Sequence, residues 1–197
     1  EENAFSEAAV ATLAEYTRLI AGLIRSYTEK YDLHLIARTL DAFEGMSRDF
    51  TGSEPTPARV ARGLTEHVAE LFDNRYVATI LFNDAHGDWR IAAWKGESGG
   101  VEREGMRVDV RGSLVGRATR NADEVLVPGA LNEVRFFPDE RLSDKGTFLA
   151  IPLVGTTKCF GALAIEHPVA DAFIPRDVEL MRDLTRYAAM AIEVFNT

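Results

Sequence analysis

Cysteine is nearly missing from these 197 residues: Cys159 stands alone. A single thiol excludes an internal disulfide and any metal site built on several thiolates, and it fits a reducing compartment. No apolar run approaches the roughly 20 residues that span a bilayer. The opening Glu1-Glu2-Asn3 is acidic where a secretory leader would be basic. We therefore expect a cytoplasmic location and no membrane contact by this stretch. The initiator Met is also absent, so we expect a piece of a longer protein, whose own membrane attachment stays open. Positive charge is scarce as well: 22 Lys and Arg against 31 Asp and Glu leave a net charge of -9. That balance argues against a nucleic-acid surface, which needs a basic footprint. The four histidines, His34, His67, His86 and His167, are scattered without metal-ligand spacing, so no metal site is expected.

What is present is the composition of a globular protein, 46% hydrophobic and 27% charged, enough for one substantial core with an appendage. We place the appendage at 1–52 and the core domain at 53–197. Val10, Leu13, Thr17, Ile20, Ile24, Tyr27 and Tyr31 step by three and four, the rhythm of a helical seam. Leu33, Ile36, Leu40, Phe43, Ser47 and Phe50 continue it in a different phase, and no Gly or Pro interrupts Ser26 to Leu40. A hairpin and a continuous rod both remain open. Two seams ahead of a globular domain favour pairing with a second copy of the chain over packing on the chain's own core.

Thr56-Pro57 reads as a helix cap followed by proline at the first helical position. The helix it opens carries Val60, Leu64, Val68, Leu71 and Phe72 on one side. A hairpin follows, with strands over 76–83 and 89–95, and a third strand is expected at 106–110. Strands at 147–154 and 159–167, joined by Gly155-Thr156-Thr157-Lys158, precede a last helix from Pro175. The strands are apolar on both faces: Tyr76, Ala78, Ile80 and Phe82 alternate with Val77, Thr79 and Leu81. Leu149, Ile151 and Leu153 likewise alternate with Phe148, Ala150, Pro152 and Val154. Both faces must therefore be covered. The helices at 57–73 and 176–195 suit one face, and the irregular 112–146 segment is left for the other. In the last helix Val178, Met181, Thr185, Ala188, Ile192 and Phe195 form one stripe. Leu180, Leu184, Tyr187, Ala191 and Val194 form another, which we expect to meet a partner helix.

The order and spacing of four runs resemble the GAF domain, a small-molecule-sensing module of signalling proteins, over about residues 57–195. The runs are Gly112-Ser113-Leu114-Val115-Gly116-Arg117-Ala118, Leu149-Ala150-Ile151-Pro152-Leu153, Gly161-Ala162-Leu163-Ala164-Ile165-Glu166, and Phe173-Ile174-Pro175-Arg176-Asp177. The resemblance implies an α/β (α+β) fold: a central antiparallel sheet of five to six strands with helices on both sides, a ligand pocket in front, and here an N-terminal helical extension. Each run also has a bland role. Ser113 can cap a helix, Gly116 and Ala118 can hold it close to the sheet, and Pro152 suits an edge strand or a bulge. The motif of cyclic-nucleotide-binding members is half missing, since His167-Pro168 replaces its Asn-Lys pair and Val178 its Glu. Phe173 and Asp177 remain, readable as a core anchor and a first-turn acid. Bilin-binding members attach chromophore through a Cys in a motif not reproduced around Cys159. Members that reduce free methionine sulfoxide use several cysteines, and this chain has one.

Ligand contacts are expected in 127–146, where Arg135, Phe136, Phe137 and Asp139 combine a guanidinium, two aromatics and an acid. Trp94 and Phe148 would face them from the sheet. A filled front and a true pocket are equally compatible with these residues. The expectation is a non-enzymatic sensory domain of a bacterial-style signalling protein that binds a small molecule and relays through dimer helices to a linked output domain. The rival is a ligand-free dimerisation scaffold. No cofactor is named by the sequence, and no nucleophile–base pair or phosphate loop is visible.

Overall fold

The computed structural model describes residues 12, 14–26, 37, 41, 44, 45, 48, 56–72, 74, 76–83, 85–96, 102–129 and 146–195. The chain divides into two compact units, Glu1–Asp41 and Ala42–Thr197. In the first, residues 14–26 form helix α1. Its Tyr16, Leu19, Ile20, Leu23 and Ile24 are each more than half exposed. With 3.6 residues per turn these five fall within an arc of about 140°. The expected seam ran through Thr17, Ile20 and Ile24; Tyr16, Leu19 and Leu23 widen it into a face. The second seam, 33–50, lies outside the described residues apart from isolated positions.

The second unit is built on α2 (Pro57–Leu71), β1 (Tyr76–Asn83), β2 (Asp88–Gly96), β3 (Arg107–Val108), α3 (Leu114–Asn121), β4 (Val125–Val127), β5 (Thr147–Val154), β6 (Cys159–His167) and α4 (Pro175–Phe195). All strand pairs are antiparallel, in the order β3-β2-β1-β6-β5-β4. The fold is thus a six-stranded antiparallel α+β sheet with helices on both sides. The short β4 had no signal in the sequence: three residues give too little alternation to read.

Thr56 caps α2, its hydroxyl accepting from the Arg59 amide at 3.3 Å, and Pro57 occupies the first turn, where a missing N–H costs nothing. This helix packs on β1 and β2, and α4 packs on β5 and on α2. Together they cover the back face, whose Val77, Leu149, Leu153, Leu163 and Ile165 are fully buried. The Thr65 and Thr79 hydroxyls meet at 2.8 Å inside this layer, each satisfying the other.

The front face is covered at its β4–β5–β6 end by α3. Part of the segment expected to be irregular is therefore an ordinary packing helix, capped by Ser113 Oγ, which accepts from the Gly116 amide at 3.0 Å. Gly116 is needed for a different reason from the one expected. A Cβ there would overlap the Val110 carbonyl oxygen, so the close approach is to the preceding turn, not the sheet.

Pro152 lies in an interior strand, not an edge. The pairing of β4 stops at Val125 opposite Ala150, so β5 has no neighbour on that side at Pro152, and a register shift follows between Leu153 and Val154. Helix α4 opens with Pro175 at its first position, and the Asp177 carboxylate accepts from the Ile174 amide at 3.0 Å. That is the returning arm of a capping box. Phe173 anchors the entry by packing edge-on against Phe72 at 5.6 Å. Of the α4 stripe reserved for a partner, Leu180 and Leu184 are buried within this chain, while Val194 is exposed and Tyr187 and Ala191 are half-buried.

Candidate functional site

Residues directly opposite in an antiparallel sheet share a face. Tyr76 pairs with Glu166, which pairs in turn with Phe148, and Phe148 with Val127. The next rank runs Trp94, Ala78, Ala164, Ala150, Val125. Tyr76, Ala78, Phe148, Ala150 and Ala164 all belong to the buried cluster that includes Leu114, Val115 and Ala118. The alanine rank lets α3 lie close to the sheet. The neighbouring rank holds large side chains and a carboxylate, Tyr76–Glu166–Phe148–Val127, at the edge of the face where the chain leaves β4 and re-enters at Thr147.

Glu166 is the residue the sequence reading passed over. It is 1% exposed, on the front face, between two aromatic neighbours. Its signal was available: in Gly161–His167 the inward positions read Ala162, Ala164, Glu166, a charged residue in core phase. Burying a carboxylate is expensive unless charge or hydrogen bonds compensate, so its place here calls for a chemical reason.

Trp94 is half-buried and stacked on Tyr76, ring centroids 4.5 Å apart and planes 21° from parallel. The Arg103 guanidinium lies 5.6 Å from the Trp94 ring centre, within cation–π range. The Trp94 amide donates to Glu104 Oε1 at 3.3 Å, and Arg62 on α2 holds the other Glu104 oxygen at 3.0 Å. Phe148 is fully buried. Arg135, Phe136, Phe137 and Asp139 lie outside the described residues. The chain beside them is fastened at Thr147: its hydroxyl lies 2.8 Å from the Val169 carbonyl and 3.2 Å from that of Pro128, and it accepts from the Ala172 amide at 3.1 Å.

Other polar groups are engaged locally. Asp88 is nearly buried, gripped by both prongs of Arg90 at 3.1 and 3.0 Å, and those bonds hold its carboxyl below the usual range. Asp109, forked by Arg111, is held down to about 2. These two pairs flank an open cleft of about 540 Å³ with Arg107 between them. A smaller cleft of about 150 Å³ lies where Arg182 and Arg186 of α4 face Asp123, Glu124 and Pro152. Cys159 is half-buried, and burial pushes its thiol up, away from the reactive thiolate. His167 Nδ1 accepts from the Val169 amide at 3.1 Å and the ring packs on Phe173. Among the described residues no group of His, Cys, Asp and Glu is arranged to hold a metal, and no helix is long and apolar enough to cross a membrane.

A family model described as a GAF domain matches residues 54–193. No protein of curated function matches the sequence. Among solved structures, the GAF domain of an Acinetobacter phosphoenolpyruvate-protein phosphotransferase superposes with a TM-score of 0.67 at 17% identity, over 80% of this chain and 93% of that one. The GAF-B domain of DevS from Mycobacterium smegmatis gives 0.56 at 19% identity, over 71% and 95%. A free methionine-R-sulfoxide reductase from Neisseria meningitidis, solved with its substrate, gives 0.62 at 16% identity, over 80% and 92%. The fold is thus shared by proteins described as GAF domains and by an enzyme.

Proposed function

The chain belongs to the GAF domain family, and from that premise we propose that it is a sensory domain that binds a small molecule on the front of its sheet. The observation that carries this reading is the rank Tyr76–Glu166–Phe148, which places a carboxylate between aromatic rings on the face away from α2 and α4. A carboxylate buried beside aromatic rings is a candidate for ligand recognition. Ligand bound there reaches the back helices through the sheet, and α4 carries the signal toward a linked output domain of a cytoplasmic bacterial signalling protein. The site is non-enzymatic in this reading. Its support is Cys159, the sole thiol, which is half-buried with its sulfur directed to the Gly161 carbonyl at 3.2 Å.

Two copies pair through the N-terminal and C-terminal helices. The apolar face of α1 and the exposed Met190 and Val194 of α4 support this part. Contiguous patches of such residues usually mark an interface. Solution mass tests it: the intact chain is expected to be dimeric, and Ile20→Glu with Leu23→Glu to weaken the dimer. A monomeric intact chain would remove the dimer from the proposal.

The ligand test is thermal stabilisation against a panel of metabolites and nucleotides, repeated on Trp94→Ala. A compound that raises Tm in the intact chain and less in the variant supports the front-face site. A tight dimer that no compound stabilises favours the rival scaffold, for which the exposed α1 face is the specific observation.

A further inference from the structure

We infer that the open cleft at the β2–β3 edge is a second binding site, which takes an oxyanion, the carboxylate or phosphate of a hydrophilic small molecule, on Arg107. The cleft lies beside Trp89, which pairs with Phe82 near the end of β1, whereas the front-face rank includes Tyr76 at its start. Six residues of strand, roughly 20 Å, separate the two, so each site stands or falls without the other.

Trp89 on β2 pairs with Val108 on β3, and Arg90 with Arg107. The second pair sets two arginines directly opposite each other, an arrangement that like charge makes unfavourable. Asp88, in phase with Arg90 on the strand, answers one of them fully. Arg90 takes both its oxygens, at 3.1 and 3.0 Å, while Arg107 Nε stays 3.9 Å from Oδ2. That last separation is beyond a hydrogen bond. Asp109 is occupied in the same way by Arg111, at 2.9 and 2.7 Å. Three guanidiniums therefore meet two carboxylates, which leaves one positive charge over in a chain that carries -9. The surplus sits on Arg107, whose side chain is 77% exposed where it lines the cleft.

Among the described residues, the loose contact through Nε is what engages the Arg107 guanidinium, so its two Nη groups offer their N–H donors to the cleft. A planar fork of this kind matches two oxygens of a carboxylate or phosphate. The bonds from Arg90 hold the Asp88 carboxyl below its usual range, and those from Arg111 hold Asp109 down to about 2. Both acids thus stay ionised around neutrality and remain engaged with their own arginines, which leaves Arg107 to a ligand. A cation would meet a surplus of its own sign there. The space of about 540 Å³ is on the scale of small-molecule sites and exceeds what a bare ion fills. The cross-strand pair Trp89 and Val108 gives the lining an apolar strip against which the body of such a molecule can lie.

The test titrates the full chain calorimetrically with inorganic phosphate, glycerol phosphate and succinate, at constant ionic strength set with sodium chloride. Glycerol and succinamide are the uncharged counterparts, and putrescine is the cation. Saturable binding of a phosphate or carboxylate probe, absent with the uncharged counterparts and with putrescine, is the expected result. Arg107→Gln should weaken that binding at least about tenfold. Arg107→Lys, which keeps the charge and loses the fork, should retain part of it. Trp94→Ala, which disables the front-face site, should leave it unchanged. No saturable binding of any oxyanion probe above the chloride background would overturn the inference. Binding that survives Arg107→Gln intact, or that Trp94→Ala abolishes, would overturn it equally. A ligand-free readout accompanies these: Tm should be the same in Arg107→Gln as in the intact chain, because an exposed contact at 3.9 Å contributes little. A marked fall in Tm would identify Arg107 as a structural partner of Asp88 and overturn the inference.

Discussion

Arg182 on α4 and Glu124 at the entry to β4 form a two-pronged ion pair, with Nε–Oε2 at 2.7 Å and Nη2–Oε1 at 2.5 Å. It ties a back-face helix to the chain that has just left α3 on the front, around the edge of the sheet that β4 leaves open at Pro152. Arg62 and Glu104 make the corresponding link at the opposite edge, from α2 to the chain before β3. Near each border of the sheet, therefore, an arginine of a back-face helix is paired with a glutamate of a connecting segment.

Both side chains of the Arg182–Glu124 pair are partly solvated, so its contribution is modest despite the forked geometry. A double-mutant cycle with Arg182→Met and Glu124→Gln should return a coupling of about 0.5–1 kcal/mol in denaturant unfolding. The value should shrink in high salt, which screens exposed pairs. A coupling indistinguishable from zero at low salt would mean the fork adds nothing to the joint between the two faces.

Glu193, near the end of α4, accepts from the amides and hydroxyls of Thr156 and Thr157 in the β5–β6 turn, with Thr156 Oγ1 at 2.7 Å. These donors, the Thr156 amide foremost, hold its carboxyl below the ordinary range. A depressed folded-state value means stabilisation that is full above the unfolded carboxylate range and disappears as pH falls through the folded value. The gap in Tm between the intact chain and Glu193→Gln should accordingly be largest near neutrality and close in acid. A gap that is constant with pH would assign the effect to shape rather than charge.

The Thr65 and Thr79 hydroxyls are both buried and bonded to each other between α2 and β1. Thr79→Val strips one partner and leaves a buried hydroxyl unsatisfied, at about 1–3 kcal/mol. Adding Thr65→Val removes the orphan, so the double variant should recover much of that loss. Urea denaturation of the two single variants and the double gives the comparison; additive losses would contradict mutual satisfaction.

Much of this fold was legible because its signals are local. Thr56-Pro57 and Gly112-Ser113 open helices through capping chemistry that lies within three residues, and two-faced apolar alternation in 76–83 and 147–154 demanded cover on both sides of a sheet. What could not be read depends on register. That Pro152 is interior but locally unpaired follows from where the three-residue β4 stops. That Glu166 stands between Tyr76 and Phe148 requires, besides the β5–β6 hairpin, the pairing of β6 with β1, which lies about eighty residues earlier in the chain. The α4 stripe failed differently: periodicity identifies an apolar side but not what covers it, and Leu180 and Leu184 are buried within the chain. Trp94 and Phe148 do share the front face of the sheet, as their pairings with Ala78 and Glu166 show, while the place of Glu166 on that face needed the register to be seen.

The turn before α3 shows how tightly a short capping run can be specified. Ser113 Oγ accepts from the Gly116 amide at 3.0 Å and donates to the Val110 carbonyl at 2.7 Å, while Gly116 lets that same carbonyl lie against the helix. Ser113→Ala loses the cap and should cost about 1 kcal/mol. Gly116→Ala would gain about 1 kcal/mol of helix propensity were the site open. The clash with backbone, which has no rotamer to yield, should instead make it destabilising by about 1–3 kcal/mol. Because both substitutions disturb one carbonyl, the double variant should lose less than the sum of the two. Chemical denaturation of the three variants decides it: a neutral or stabilising Gly116→Ala would show that the Val110 turn moves away freely and that glycine is not required there.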